Sequence, residues 1–245
     1  MTELRTRLDP DDPNTHYGWG LELIKDGRTE HALEAFDRAL ELDADHAKSH
    51  AARGAALGDL QRFEEALAAY DSALALEAED AGTMGRRAIA LAGVGRGLDA
   101  LRAMDQALKL EPDDPDNRST HVSLLLILGR YDDALEAAEE ALVLRAEHAG
   151  TLYDRACALS QLERPADALA DLERALELDF NAFGFVETDN DLSNLRRDEE
   201  QGPKFRALVA RLKEARAAQA AADKVAADEA TAGEASAAES DRASN

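Results

Sequence analysis

Residues 47–80 read AKSHAARGAALGDLQRFEEALAAYDSALALEAED, and the organisation of the chain follows from them. His50, Arg53, Gly54 and Leu57 recur at i, i+3, i+4 and i+7, so they share one helical face. Leu60-Gln61-Arg62 then turns the chain, and Ala66, Tyr70 and Ala73 mark the packing stripe of a second helix. Small residues in both stripes let two helices approach closely. The stretch predicts a helical hairpin.

The same pattern returns every 34 residues without an insertion. Ala32, Ala66, Ala100, Ala134 and Ala168 form one column, and Ala39, Ala73, Ala107, Ala141 and Ala175 another. Leu23, Leu57, Leu91, Leu125 and Leu159 form a third, and Leu33, Leu67, Leu101, Leu135 and Leu169 a fourth. Arg28, Arg62, Arg96, Arg130 and Arg164 fall in the turns, where they can meet the carbonyls that end the first helix. Such periods mark stacked supersecondary units. A lone hairpin has one apolar face and nothing to bury it against, so the units must stack and the last one needs a cap.

Composition agrees. The chain has 245 residues and is 45% hydrophobic but only 4% aromatic, with Ala and Leu dominant, which suits helices rather than sheets. Its formal net charge of −23 repels phosphate backbones and argues against nucleic-acid partners. A single cysteine, Cys157, excludes an internal disulfide framework. The polar start of the chain has no apolar signal core, and no apolar run nears a membrane span, the longest being Val122 to Leu128. A cytoplasmic location is expected.

With these columns on the page, the chain resembles the tetratricopeptide repeat. That pattern has a small residue at its eighth position, Leu or an aromatic at the eleventh, Ala at the twentieth and twenty-seventh, and an aromatic at the twenty-fourth. The expected fold is all-α, a right-handed α-solenoid of five hairpins with C-terminal capping helices. Counting from Pro13, the units run 13–46, 47–80, 81–114, 115–148 and 149–182, after a lead-in over 1–12. Val122 departs from the small eighth position, and Ala138 from the large twenty-fourth, so the fourth hairpin is expected to pack thinner. At the fourth position, where the family often has Trp, His16 and His50 are expected to pack in its place. A capping segment over 183–212 resembles the end of some bacterial repeat groups, with Asp191, Leu192, Leu195, Phe205 and Leu208 in place. Phe180, Phe183 and Phe185 are expected to begin covering the last hairpin, and Glu199 to Pro203 reads as a longer link than usual. Residues 213–245 form an Ala-rich acidic tail of low complexity with little to bury.

The resemblance implies a concave groove lined by the first helices. Carried over position by position, it gives Asn14, Tyr17, Leu21, Ile24 and Lys25, then Lys48, Ala51, Ala55 and Gly58, then Gly85, Arg86 and Ile89. The fourth unit gives Ser119, Ser123 and Ile127, and the fifth gives Tyr153, Cys157 and Gln161. Small side chains mid-groove either leave room for a bulky partner or let the superhelix close tightly. The five units carry −5, −4, 0, −4 and −4, so Arg86, with Lys48 and Lys25 before it, sets a positive stripe inside an acidic shell. Relatives that clamp the terminal carboxylate of heat-shock chaperones use Lys and Asn where this chain has Tyr17 and Leu21, so that ligand is not expected.

Other chemistry finds little support. Arg53, Arg87 and Arg155 are expected to lie along the hairpins against nearby acids. His46 and His50 have ligand spacing, but they straddle two units and lack a third ligand. Cys157 has no evident activating base. Gly93-Val94-Gly95-Arg96-Gly97 falls in a turn and lacks the Lys-Ser/Thr of a phosphate loop. No cofactor, metal or enzymatic activity is expected. The function predicted is a non-catalytic scaffold or adaptor holding a partner's peptide or helix. The alternatives are a regulatory subunit of an enzyme complex, or a scaffold that self-assembles through its tail.

Overall fold

A computed structural model describes residues 9–178 and 185–218, with residues 221, 222 and 224. Five hairpins follow one another. They are α1 (Pro13–Lys25) with α2 (Thr29–Leu42), α3 (Ala47–Asp59) with α4 (Phe63–Leu76), and α5 (Ala81–Gly93) with α6 (Gly97–Leu110). Then come α7 (Pro115–Ile127) with α8 (Tyr131–Leu144) and α9 (Ala149–Gln161) with α10 (Pro165–Glu177). A 3-10 turn over Asn190–Leu192, a short α11 (Ser193–Arg197) and a long α12 (201–218) complete the described chain. No strand occurs among the described residues. The fold is an all-α solenoid.

Each hairpin turn is built the same way. The backbone N–H of Arg28, Arg62, Arg96, Arg130 and Arg164 donates to the carbonyl of the Leu five residues earlier, at 2.8 to 2.9 Å. The residue before each Arg has positive φ: Gly27, Gln61, Gly95, Gly129 and Glu163. This is the left-handed ending that satisfies the last carbonyls of a helix. The guanidinium groups do something other than the sequence suggested. Those of Arg62, Arg96, Arg130 and Arg164 reach forward to Glu65, Asp99, Asp133 and Asp167, acids in the first turn of the next helix. The carbonyls are already served by the backbone.

The other ends are tied too. Asp12, Asp80 and Asp114 accept from the N–H of Asn14, Thr83 and Asn117 in the first turn of the helix that follows each. His148 accepts from the Thr151 N–H, and His46 bonds the Ser49 hydroxyl at 2.6 Å. Pro13 and Pro115 open α1 and α7 as expected. His16 and His50 are half-buried and also make polar contacts that a Trp could not. Their Nε2 atoms meet the carbonyls of Pro10 and Ala44, six residues back, and Arg118 reaches Pro112 in the same way. These side chains pin the loop between successive units.

Packing rests on paired sizes at the eighth and twenty-fourth positions. A Cβ on Gly20 would lie 2.3 Å from the Phe36 ring, and one on Gly54 2.6 Å from the Tyr70 ring. The next pairs are Ala88 with Met104, Val122 with Ala138 and Ala156 with Leu172, every one of these side chains fully buried. Val122 grows where Ala138 shrinks. The exchange keeps the fourth hairpin filled, although α7 and α8 still pack less extensively than the other hairpins.

Successive units are also bonded across their outer sides. Arg53 pairs with Asp37 at 2.6 Å, Arg87 with Asp71 at 2.7 Å and His121 with Asp105 at 3.4 Å, each reaching back 16 residues into the preceding unit. Arg155 breaks the rule and pairs inside its own hairpin with Asp171, through Nε and Nη2.

The C-terminal end is capped by α11 and α12. Leu192, Leu195, Phe205, Leu208 and Val209 are all buried in the core that also holds Leu172 and Leu176. The link before α12 is shorter than the sequence suggested, because Gly202 and Pro203 lie inside the helix. Pro is tolerated in a first turn, where its N–H has no partner to lose. Asp198 accepts from the N–H of Glu200 and Gln201, and a Cβ on Gly202 would lie 2.6 Å from the Arg196 carbonyl. Phe180 and Phe183 lie outside the described residues. Phe185 stands edge-on to Tyr153 and remains 51% exposed.

Candidate functional site: the concave groove

The first helices of successive units pack on one another: α1 on α3, α3 on α5, α5 on α7 and α7 on α9. No comparable packing joins successive second helices. The array therefore curves with α1, α3, α5, α7 and α9 on its inner side.

Along the first three units this inner side opens into a cavity of about 620 Å³. Tyr17, Leu21, Ile24, Lys48, Ala51, Ala55 and Arg86, all expected from the sequence, line it together. Tyr17 is held in place by the rings of Phe36 and His46, with centroids 6.2 and 5.6 Å away. Leu21 is 37% exposed toward the opening. The alanines floor the cavity and give it its width. Glu77, Asp80 and Thr83 also line it. The columns did not mark these residues, because they come from the α4–α5 junction rather than a repeated groove position. An acid three residues before Thr was the available signal, and it reports an N-cap: Asp80 accepts from the Thr83 N–H and hydroxyl.

Charge in the cavity is uneven. Most cations of the five units are matched to an acid, as the ladders above show. Lys48 and Arg86 make no ion pair among the described residues and are exposed. Lys25, by contrast, bonds Glu22 at 2.6 Å, outside the cavity lining. Tyr70 lies behind the floor, where burial pushes its hydroxyl up to about 12, so it stays neutral.

Other expected positions are placed differently. Asn14 is occupied by Asp12 and His46. Gly58 faces the Tyr70 hydroxyl, and Gly85 is buried against Asn117, whose amide would collide with a Cβ there. Ile89 and Ile127 stand exposed, at 49% and 68%. Ser119 bonds Thr151 at 2.9 Å, and Ser123 donates to Asp154 at 2.5 Å, so both stitch α7 to α9. Tyr153 and Cys157 are buried and Gln161 is half-buried. They lie beneath residues 185–191, which the repeat pattern gives no reason to place there.

Among the described residues no group of His, Cys, Asp and Glu could hold a metal ion, and no helix is long and apolar enough to cross a membrane.

Comparison with known proteins places this geometry. A family model described as tetratricopeptide repeat matches residues 14–46 and 149–181, the first and last hairpins. No curated protein matches by sequence. Among solved structures, YrrB, described as a TPR protein with an unusual peptide-binding site, has a TM-score of 0.56 at 23% identity, over 69% of this chain and 87% of that one. TTC0263, a thermophilic TPR protein of Thermus thermophilus, gives 0.59 at 20% identity over 74% and 94%. MamA of Desulfovibrio magneticus gives 0.61 at 16% identity over 68% and 94%.

Proposed function

We propose that this all-α solenoid, whose first and last hairpins match the tetratricopeptide-repeat model, is a non-catalytic scaffold whose groove holds a peptide or helix of a partner protein across its first three units. One observation carries this reading: a wide cavity floored by alanine holds the cations Lys48 and Arg86, which make no ion pair among the described residues although Asp59, Glu77 and Asp80 line the same cavity. A carboxylate on the partner would meet them with charge-assisted hydrogen bonds, while its apolar side chains meet Leu21 and Ile24. The peptide site of YrrB supports the reading by likeness of fold. The open stretch ends before the fifth unit, so the contacts expected there belong to the chain itself.

Affinity capture with quantitative mass spectrometry tests it. Ala55→Trp fills the cavity, Arg86→Glu reverses its charge, and Val143→Lys alters a residue 84% exposed outside the cavity lining. Partners held in the groove should be lost from the first two variants, by tenfold or more, and kept by the third. An unchanged partner set in Ala55→Trp and Arg86→Glu overturns the proposal.

A further inference from the structure

Residues 185–191 lie across α9 where the fifth unit would otherwise open its share of the groove. Val186 is buried in the core and Glu187 pairs with Lys213 of α12, and two groove positions also hold the segment. The Tyr153 hydroxyl donates to Asp189 Oδ2 at 2.5 Å. Gln161 Nε2 donates to the backbone carbonyls of Asp191 at 2.7 Å and Asn190 at 3.2 Å. Between them the Cys157 thiol, 2% exposed, lies 3.8 Å from the same Asp189 carboxylate. The groove side chains grip this segment as they would grip a foreign peptide, one through a carboxylate and one through the backbone.

The closure crowds three carboxyls together. Asp154 accepts from a neutral donor, the Ser123 hydroxyl of α7 at 2.5 Å, and the charges of Asp189 and Asp191 act on it. Tyr153 and Cys157 flank it on α9, and Tyr131 of α8 lies near Asp191. Arg196 of α11 spends its guanidinium on the Asp189 backbone carbonyl. Among the described residues no cation pairs with Asp154. Burial therefore pushes the Asp154 carboxyl up to about 6, with the two neighbouring acids adding to it, and raises Asp191 as well.

We infer that residues 185–191 are a strap, closed over the fifth unit's part of the groove at mildly acidic pH and loosened as pH rises, so that Tyr153, Cys157 and Gln161 become accessible. A carboxyl raised by closure favours the closed form while it is protonated. That contribution is complete below the ordinary value of 3.8 and is lost as pH climbs through about 6. The part of the carboxyl's rise owed to the strap lowers the closed-to-open ratio between pH 5 and pH 8, by at most about tenfold. The strap is independent of what the open groove binds, since its readout is the chain's own thiol.

Cys157 is the chain's one cysteine, so a thiol reagent reports a single site. The full chain is labelled with 4,4′-dithiodipyridine, and each rate is divided by that of the urea-unfolded chain at the same pH. The expected ratio rises between pH 5 and pH 8, by at most about tenfold. Asp154→Asn should label slowly at both values, and Asp189→Ala quickly at both. Hydrogen exchange supplies a second readout, with amides of residues 185–195 following the thiol while those of α5 do not change. A labelling ratio independent of pH, an Asp154→Asn variant that keeps the slope, or α5 amides exchanging in step with the strap would each overturn the inference.

Discussion

At the scale of single residues, the turn before each second helix shows where the repeat is imperfect. Five positions require positive φ, and three are glycine. Gln61, at φ 58°, and Glu163, at 59°, hold the same conformation with a side chain attached. A Cβ in that region costs roughly 1–2 kcal/mol, part of which glycine gives back through a more flexible unfolded chain. Gln61→Gly should therefore stabilise the fold by about 0.5–1 kcal/mol. Gly95→Ala, at φ 77°, should cost about 1 kcal/mol. Urea denaturation checks both, and a lower midpoint for Gln61→Gly would refute this account of the turn. The same scale explains Val122, which looked like a flaw in the sequence. Its bulk is the counterpart of Ala138, as Gly20 is the counterpart of Phe36.

At the scale of elements, the sequence told apart what repeats from what occurs once. The ten helices of the array were legible because each contact is made four or five times in register, and a column needs no knowledge of the structure. Seven residues that the family resemblance assigned to the groove line one cavity, and they came from that resemblance rather than from the columns. The strap was not legible, because residues 185–191 have no period and their destination on α9 lies about thirty residues away in sequence, beyond any local pattern. Gly85 was expected in the groove because the resemblance assigns its position there, yet Asn117 from the next unit covers it. The cap is the element whose removal should matter most. Phe205, Leu208 and Val209 of α12 are buried against the last hairpin, and Arg211 and Lys213 bridge to Glu173 and Glu187. Burying three such side chains contributes on the order of 5 kcal/mol, whereas exposed bridges contribute little. A chain ended after Arg197 should unfold at least 5 °C lower and bind a hydrophobic dye, while one ended after residue 218 should behave as the full chain does. Equal melting curves for the two truncations would count against this division of labour.

Across the whole molecule, two electrostatic effects oppose each other, and their balance can be measured. Favourable pairs are numerous, but most are exposed, such as Arg62 with Glu65 and Arg96 with Asp99, and pairs of this kind contribute about 0–1 kcal/mol each. Against them stands a net charge of −23, distributed so that four of the five units are acidic and stacked on one another. In dilute buffer the screening length is about 30 Å, longer than the spacing of neighbouring units, so each acidic unit repels the next. At physiological ionic strength it falls to about 8 Å, and the pairs in direct contact lose less than the repulsion between units does. Sodium chloride should therefore raise the melting temperature. Between about 10 mM and 150 mM the rise should be a few degrees, corresponding to about 1 kcal/mol at this size. The third unit, neutral overall, bounds the effect from within. Adding three acids to it, through Arg87→Glu together with Arg102→Glu and Lys109→Glu, should steepen the salt dependence, because repulsion then runs unbroken along the array. If salt lowers the melting temperature of the unmodified chain instead, the outer ion-pair ladders of Arg53 with Asp37 and Arg87 with Asp71 outweigh the net charge, and stability is held by those rungs between units rather than limited by repulsion.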